Sequence, residues 1–339
     1  MSVQKVSAAG TSIWLDDLSR AKIASTEAHA LPARIGNSGV VGVTTNPSIF
    51  SAAISGAAEY AADIAAMKSA PVDEVVKKLT TDDVRQACNL FTSIYEASQG
   101  VDGRVSIEVD PRLAHDTEGT IAAGKELWSI IDRPNVMIKV PATVEGLPAI
   151  TALIAEGISV NVTLIFSVER YDEVINAYFA GLKRAKASGK DLSKIHSVAS
   201  FFVSRVDTEV DKRLEALGKP ELKSKAALAN ARLAYELFLN RFASAEWKEL
   251  EAAGARLQRP LMASTGVKDP ALPDTLYVTE LVSKNLVNTM PEKTMEAVYD
   301  HGDVPAASIT NKYDDARDVL AQVAAAGVSL DDATQLLDL

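Results

Sequence analysis

RVSIEVDPRLAHDTEGTIAAGKELWSIIDRPNVMIKVP, residues 104–141, holds two short apolar runs, RVSIEVD from Arg104 and VMIKVP from Val136, on either side of an amphipathic stretch. Near-continuous Val- and Ile-rich runs of this length suit strands buried on both faces of a parallel sheet. Between them, DTEGTIAAGKELWSII carries apolar residues at helical spacing behind Asp116, a residue type that caps helices. The unit reads as strand, helix, strand.

The same alternation extends both ways. Upstream lie SIWLDD from Ser12 and VVGVTTNP from Val40. Downstream lie SVNVTLIF from Ser159, SVASFFV from Ser197, RPLMAST from Arg259 and LVNTMP from Leu286, with a second helical pattern, ERYDEVINAYFAGLKRAK, from Glu169. Alternating strands and helices indicate an α/β fold. Eight runs is the strand number of a barrel, so the expectation is a single (β/α)8 TIM barrel with additional helices. An open doubly wound sheet gives a similar alternation; closure rests on the strand count. Such barrels need ~250 residues. The excess in this 339-residue chain is assigned to an N-terminal extension of about 1–11 and helical insertions near 48–103 and 206–258, all within one domain, 1–339. The glycines of GVVGVTT are read as serving the turn into the second strand.

Residues two apart share a strand face. One face collects Trp14 with Asp16, Thr44 with Asn46, Ser106 with Glu108 and Asp110, Met137 with Lys139, Asn161 with Thr163, and Ser200 with Phe202. The other face is apolar: Ile13, Leu15, Ile107, Val109, Ile138, Val140, Val162 and Leu164, expected to pack against helices. The polar members fall near the C-terminal strand ends, where barrel enzymes keep their active sites.

Lys139 is the centre of this pattern. A charged side chain inside a buried strand is costly unless paired. Desolvation penalises the charged form of an amine, and a neutral amine attacks carbonyls. The bland reading is a structural ion pair with a carboxylate, which is compatible with catalysis. Asp16 and Glu108 are the candidate acid–base groups, because carbonyl chemistry at an amine moves protons several times. Asp17 faces away from Asp16 by alternation, and Asp110 is read as capping or anchoring the loop. Arg205, after SFFV, and Lys268 with Ser264 and Gly266, after the seventh run, offer cations and backbone amides suited to a phosphate. His29, His115, His196 and His301 show no metal-ligand spacing, and no GxGxxG opens a helix, so neither metal nor cofactor is expected. His115 and Asp116 read as a loop-to-helix start.

Composition narrows the class. The chain is 47% hydrophobic and 24% charged, with net charge −10, which argues against a nucleic-acid partner. The lone Cys88 excludes an internal disulfide and reads as a small core residue. No signal peptide or membrane span is apparent, so a cytoplasmic protein is expected, as monomer or homodimer.

WLDDLSR, GVTTNPSIF, IEVDPRLAHDT, MIKVPAT, NVTLIFSVERY and SFFVSRVD occur in this order, and together they resemble the transaldolase family over nearly the whole chain. The resemblance implies a cofactor-free enzyme of the non-oxidative pentose phosphate pathway that moves a dihydroxyacetone unit between phosphorylated sugars. It implies Lys139 as the Schiff-base residue and Asp16 as the group handling the proton of the hydroxyl at the breaking bond. Glu108 and Thr163 then hold a catalytic water. Asn46 and Asn161 bind the dihydroxyacetone part, Ser200 its terminal hydroxyl, and Phe202 shapes the pocket. Arg205 takes the phosphate, with Lys268 where some relatives carry arginine. Thr44 and Ser264 join the substrate-binding set from their strands. The rival readings are a fructose 6-phosphate aldolase, which Phe202 and the chain length disfavour, and a non-catalytic sugar-phosphate-binding barrel, which the joint presence of Lys139, Asp16 and Glu108 disfavours.

Overall fold

The computed structural model describes residues 2–305 and 308–337. Eight parallel strands close on themselves in chain order: β1 (Thr11–Asp16), β2 (Val40–Thr44), β3 (Arg104–Glu108), β4 (Val136–Pro141), β5 (Val160–Ile165), β6 (Ser197–Phe202), β7 (Gln258–Ala263) and β8 (Leu286–Met290). Every strand lies on its apolar run. The ladder of β1 with β8, from Thr11 opposite Leu286 to Leu15 opposite Met290, closes the barrel and excludes an open sheet.

The strand ends follow from local chemistry. β2 stops at Thr44 because Asn46 leaves the ladder to cap helix Pro47–Ile54, its Oδ1 accepting from Ile49 N at 3.0 Å. Asp116 caps helix Thr117–Ile131 in the same way, through Gly119 N at 2.9 Å. Helices Pro47–Ile54, Ala58–Ala66, Val72–Leu90 and Thr92–Ala97 fill the connection from β2 to β3. Ser204–Ala216, Ala226–Arg241 and Ala245–Ala252 fill that from β6 to β7, and helix Ser2–Ala8 precedes β1. Cys88 is buried in Val72–Leu90. Among the described residues no helix is long and apolar enough to cross a membrane.

The glycines of GVVGVTT divide their work. Gly39 adopts φ +67° and ends helix Leu31–Ser38, as a turn residue should. Gly42 does something the sequence did not reveal: a Cβ there would lie 2.5 Å from the indole of Trp14, which fills the barrel interior from β1.

Candidate active site

The C-terminal strand ends open into a cavity of about 390 Å³. In-register pairing of β3 with β4 sets Glu108 beside Lys139. The Lys139 Nζ lies 3.0 Å from Glu108 Oε2 and donates to the Thr45 carbonyl at 3.1 Å. Lys139 is only 6% exposed. A buried ammonium needs this counter-charge, and both groups still face the cavity.

Asp16 stands apart from that pair. The Thr44 hydroxyl donates to Asp16 Oδ1 at 2.6 Å and meets the Thr289 hydroxyl, also at 2.6 Å. A hydroxyl has a single proton, so with Thr44 donating to Asp16, Thr289 donates to Thr44. Burial pushes the Asp16 carboxyl above the ordinary carboxylate range. The Thr44 bond and the charge of Lys139 pull against this, and Asp17 adds to the rise.

The other expected residues divide by position. Thr163 lines the cavity with its buried Oγ1 unpartnered among the described residues, an open site for a water or a substrate hydroxyl. Ser200 also lines it and donates to Asn161 Oδ1 at 2.7 Å, while Asn161 Nδ2 donates to Ser106 Oγ at 3.0 Å. Asn161 is fully buried, two residues before Thr163 on the same strand face, and links Ser200 to Ser106. Asn46 borders the cavity with its carbonyl oxygen spent on the helix cap. Arg205, the second residue of helix Ser204–Ala216, lies with its guanidinium 5.0 Å over the Phe202 ring. Ser264 and Lys268 complete the rim. Ser264 accepts from Ser204 N at 3.0 Å and meets its hydroxyl at 2.8 Å, holding the start of that helix at the mouth.

Leu164 corrects the alternation. β5 shifts register between Val162 and Ile165, Leu164 takes φ +59°, and this residue borders the cavity while still packing against the core. Ser264 has φ +55°. Two non-glycine residues in the left-handed region beside one cavity represent stored strain, roughly 1–3 kcal/mol each, of the kind found at functional sites. Asp17 turns aside as alternation requires, pairing with Lys22 at 2.8 Å, and Asp110 caps the turn Pro111–Leu113. Thr289 was missed, although in LVNTMP it shares a face with Val287 and points inward by the same rule. Ser48, in the first turn of helix Pro47–Ile54, and Pro111, at the start of the turn Pro111–Leu113, reach the cavity from beyond the strand ends, where strand alternation carries no signal. Among the described residues no three His, Cys, Asp or Glu side chains are grouped to hold a metal.

A buried amine paired with one carboxylate and sharing its cavity with a second, at the C-terminal mouth of a (β/α)8 barrel, defines an enzyme built for carbonyl chemistry. The chain matches the family described as Transaldolase/Fructose-6-phosphate aldolase over residues 13–338. It is 58% identical over 340 residues to a transaldolase of Arthrobacter sp., covering 99% of this chain and 91% of that one. Against the transaldolase of Mycolicibacterium smegmatis it is 58% identical, over 98% of this chain and 90% of the relative. Against that of Thermobifida fusca it is 55% identical, over 99% and 92%. The chain belongs to the transaldolase/fructose-6-phosphate aldolase family.

Proposed function

We propose that the chain is a transaldolase, transferring a dihydroxyacetone unit from a ketose phosphate to an aldose phosphate through a Schiff base on Lys139. The observation that carries this is the Lys139–Glu108 pair at 3.0 Å, inside a cavity that also holds Asp16 and an unpartnered Thr163 hydroxyl.

Lys139 passes its ammonium proton to the adjacent Glu108, and the neutral amine attacks the C2 carbonyl of a sugar such as fructose 6-phosphate or sedoheptulose 7-phosphate. Glu108, with a water held against Thr163 Oγ1, moves the protons that convert carbinolamine to imine as water leaves. The protonated imine is an electron sink. Asp16, whose raised proton affinity suits a general base, takes the proton of the C4 hydroxyl as the C3–C4 bond opens. An aldose phosphate departs, and a three-carbon enamine stays on Lys139. An acceptor such as glyceraldehyde 3-phosphate or erythrose 4-phosphate then enters, and the steps reverse. Ser200 and Asn46 bind the hydroxyls of the retained unit, with Asn161 fixing the Ser200 hydroxyl. Arg205 and the start of its helix take the phosphate, with Lys268 as a point charge. Phosphorylated sugars in the cytoplasm are its partners on this reading.

Borohydride trapping with fructose 6-phosphate, followed by peptide mass analysis, tests the covalent step. The expected result is a reduced three-carbon adduct on the Lys139 peptide, absent in Lys139→Ala. A folded, sugar-binding wild type without adduct would overturn it. Transfer to an added aldose phosphate, without release of free dihydroxyacetone in its absence, separates a transaldolase from an aldolase.

A further inference from the structure

At the opposite end of the barrel, the starts of β3, β6 and β7 bring Arg104, His196 and Arg259 near one another. A cavity of about 460 Å³ there is bordered by Ser193, His196, Arg256 and Arg259. A second, of about 370 Å³, shares Ser193, His196 and Arg256 and reaches Gly100.

The buried charge at this end does not balance. Arg259 is neutralised by Asp102 at 2.9 Å and also donates to Ser12 and to the Val101 carbonyl. Arg104 is fully buried and stacks 4.9 Å from the Tyr95 ring centre. It donates to the carbonyls of Gly100 at 2.7 Å and Pro134 at 3.0 Å, and its Nη2 has no partner among the described residues. The half-buried Arg256 likewise leaves Nε unpartnered. The neighbouring carboxylates, Glu96, Glu251 and Asp191, are exposed, and Asp191 is already engaged by Ser193. Burial, with the charges of Arg104, Arg256 and Arg259, pushes the His196 imidazole down to about 2 and keeps it neutral. Gly100, at φ +82°, admits no side chain here: a Cβ would lie 2.9 Å from His196 Nε2 and 3.1 Å from Arg104 Nη2. Buried cations are normally paired, so an unpartnered guanidinium N–H on Arg256, a residue of the cavity wall, and another on the enclosed Arg104 mark a deficit of negative charge.

We propose that this end of the barrel is an anion-binding site, separate from the active site, that takes a compact oxyanion, either inorganic phosphate or the phosphate of a monoester. Arg256 and His196 form the wall it rests on, and Arg104 supplies charge from behind. Because the whole chain carries net charge −10, attraction of an anion comes from the local cluster and not from the molecule's overall field.

The test is thermal unfolding of the full chain in rising inorganic phosphate, against potassium chloride at matched ionic strength. An Arg205→Ala/Lys268→Ala background removes the two rim cations proposed to take the sugar phosphate at the catalytic mouth. The expected result is a saturable rise in Tm of ~2–4 °C over chloride, abolished by Arg256→Met. Arg256→Gln serves if that variant does not fold. No rise over chloride, or a rise that survives loss of Arg256, would overturn the proposal. Glycerol 1-phosphate distinguishes the sources: a lower half-saturating concentration than for inorganic phosphate assigns the site to monoesters, and a higher one to the free ion.

Discussion

Lys139 and Asp16 share a cavity but are held by different partners. Lys139 is held by a carboxylate and a carbonyl, whereas Asp16 is held by a chain of hydroxyls, Thr289 to Thr44 to Asp16. The Thr44 bond favours the ionised carboxylate, opposing burial. Thr44→Val therefore raises the proton affinity of Asp16 further. If Asp16 acts as the base, the acid limb of the kcat/KM profile moves to higher pH in this variant, and the plateau falls by about tenfold, the worth of one hydrogen bond to a charged group. Thr44→Ser restores both. A pH–rate profile checks this, and an unmoved acid limb would detach Asp16 from the proton transfer. At this scale Asp16, Glu108, Lys139 and Thr163 were legible because each breaks the apolar rule of a buried strand. Alternation names a face and says nothing of depth, so the bonds that join Asn161 to Ser200 and Ser106 were not foreseen.

At the scale of elements, helix Ala226–Arg241 begins without a side-chain cap of its own. Asp207, from helix Ser204–Ala216, provides one, accepting from Ala227 N at 2.8 Å, and its other oxygen accepts from the Tyr277 hydroxyl at 2.7 Å. One carboxylate thus joins two inserted helices to the segment before β8, behind the helix that carries Arg205. Asp207→Ala is expected to cost about 2 kcal/mol, read by urea denaturation. Burial lifts the Asp207 carboxyl to about 6. A carboxyl with a raised folded value contributes stability that is present at low pH and lost as pH climbs through that value. Between about pH 4 and about pH 6 the wild type should therefore lose stability that Asp207→Asn does not lose. Equal pH slopes in the two proteins would show that Asp207 titrates normally.

On the scale of the whole molecule, Arg259 is a latch at the barrel's N-terminal end. From β7 it reaches Ser12 of β1 and the Val101–Asp102 turn before β3, joining parts of the chain that only closure brings together. Arg259→Met leaves Asp102 without its cation. It should destabilise by on the order of 2–4 kcal/mol while leaving the turnover of the folded enzyme unchanged at permissive temperature, because the catalytic cavity lies at the other end. Calorimetry and a transfer assay on the same preparation check this; lost turnover with unchanged Tm would contradict it.

The strands, their order and the inward set of polar residues were written in the sequence, because burial on both faces forces apolar runs and makes every inward polar residue conspicuous. The same strand-by-strand pattern marked Lys139, Asp16, Glu108 and Thr163 for one site. Tertiary structure decided what depends on partners distant in the chain. It closed β1 on β8, brought Leu164 to the edge of the cavity at a register shift, and bonded Ser200 to Asn161. It joined Thr289 to Asp16 through Thr44, set Arg256 and His196 on the wall of a second cavity, and buried Arg104 beside Gly100 next to His196. These features arise from contacts between residues tens to hundreds of positions apart, which a local pattern of side chains does not encode.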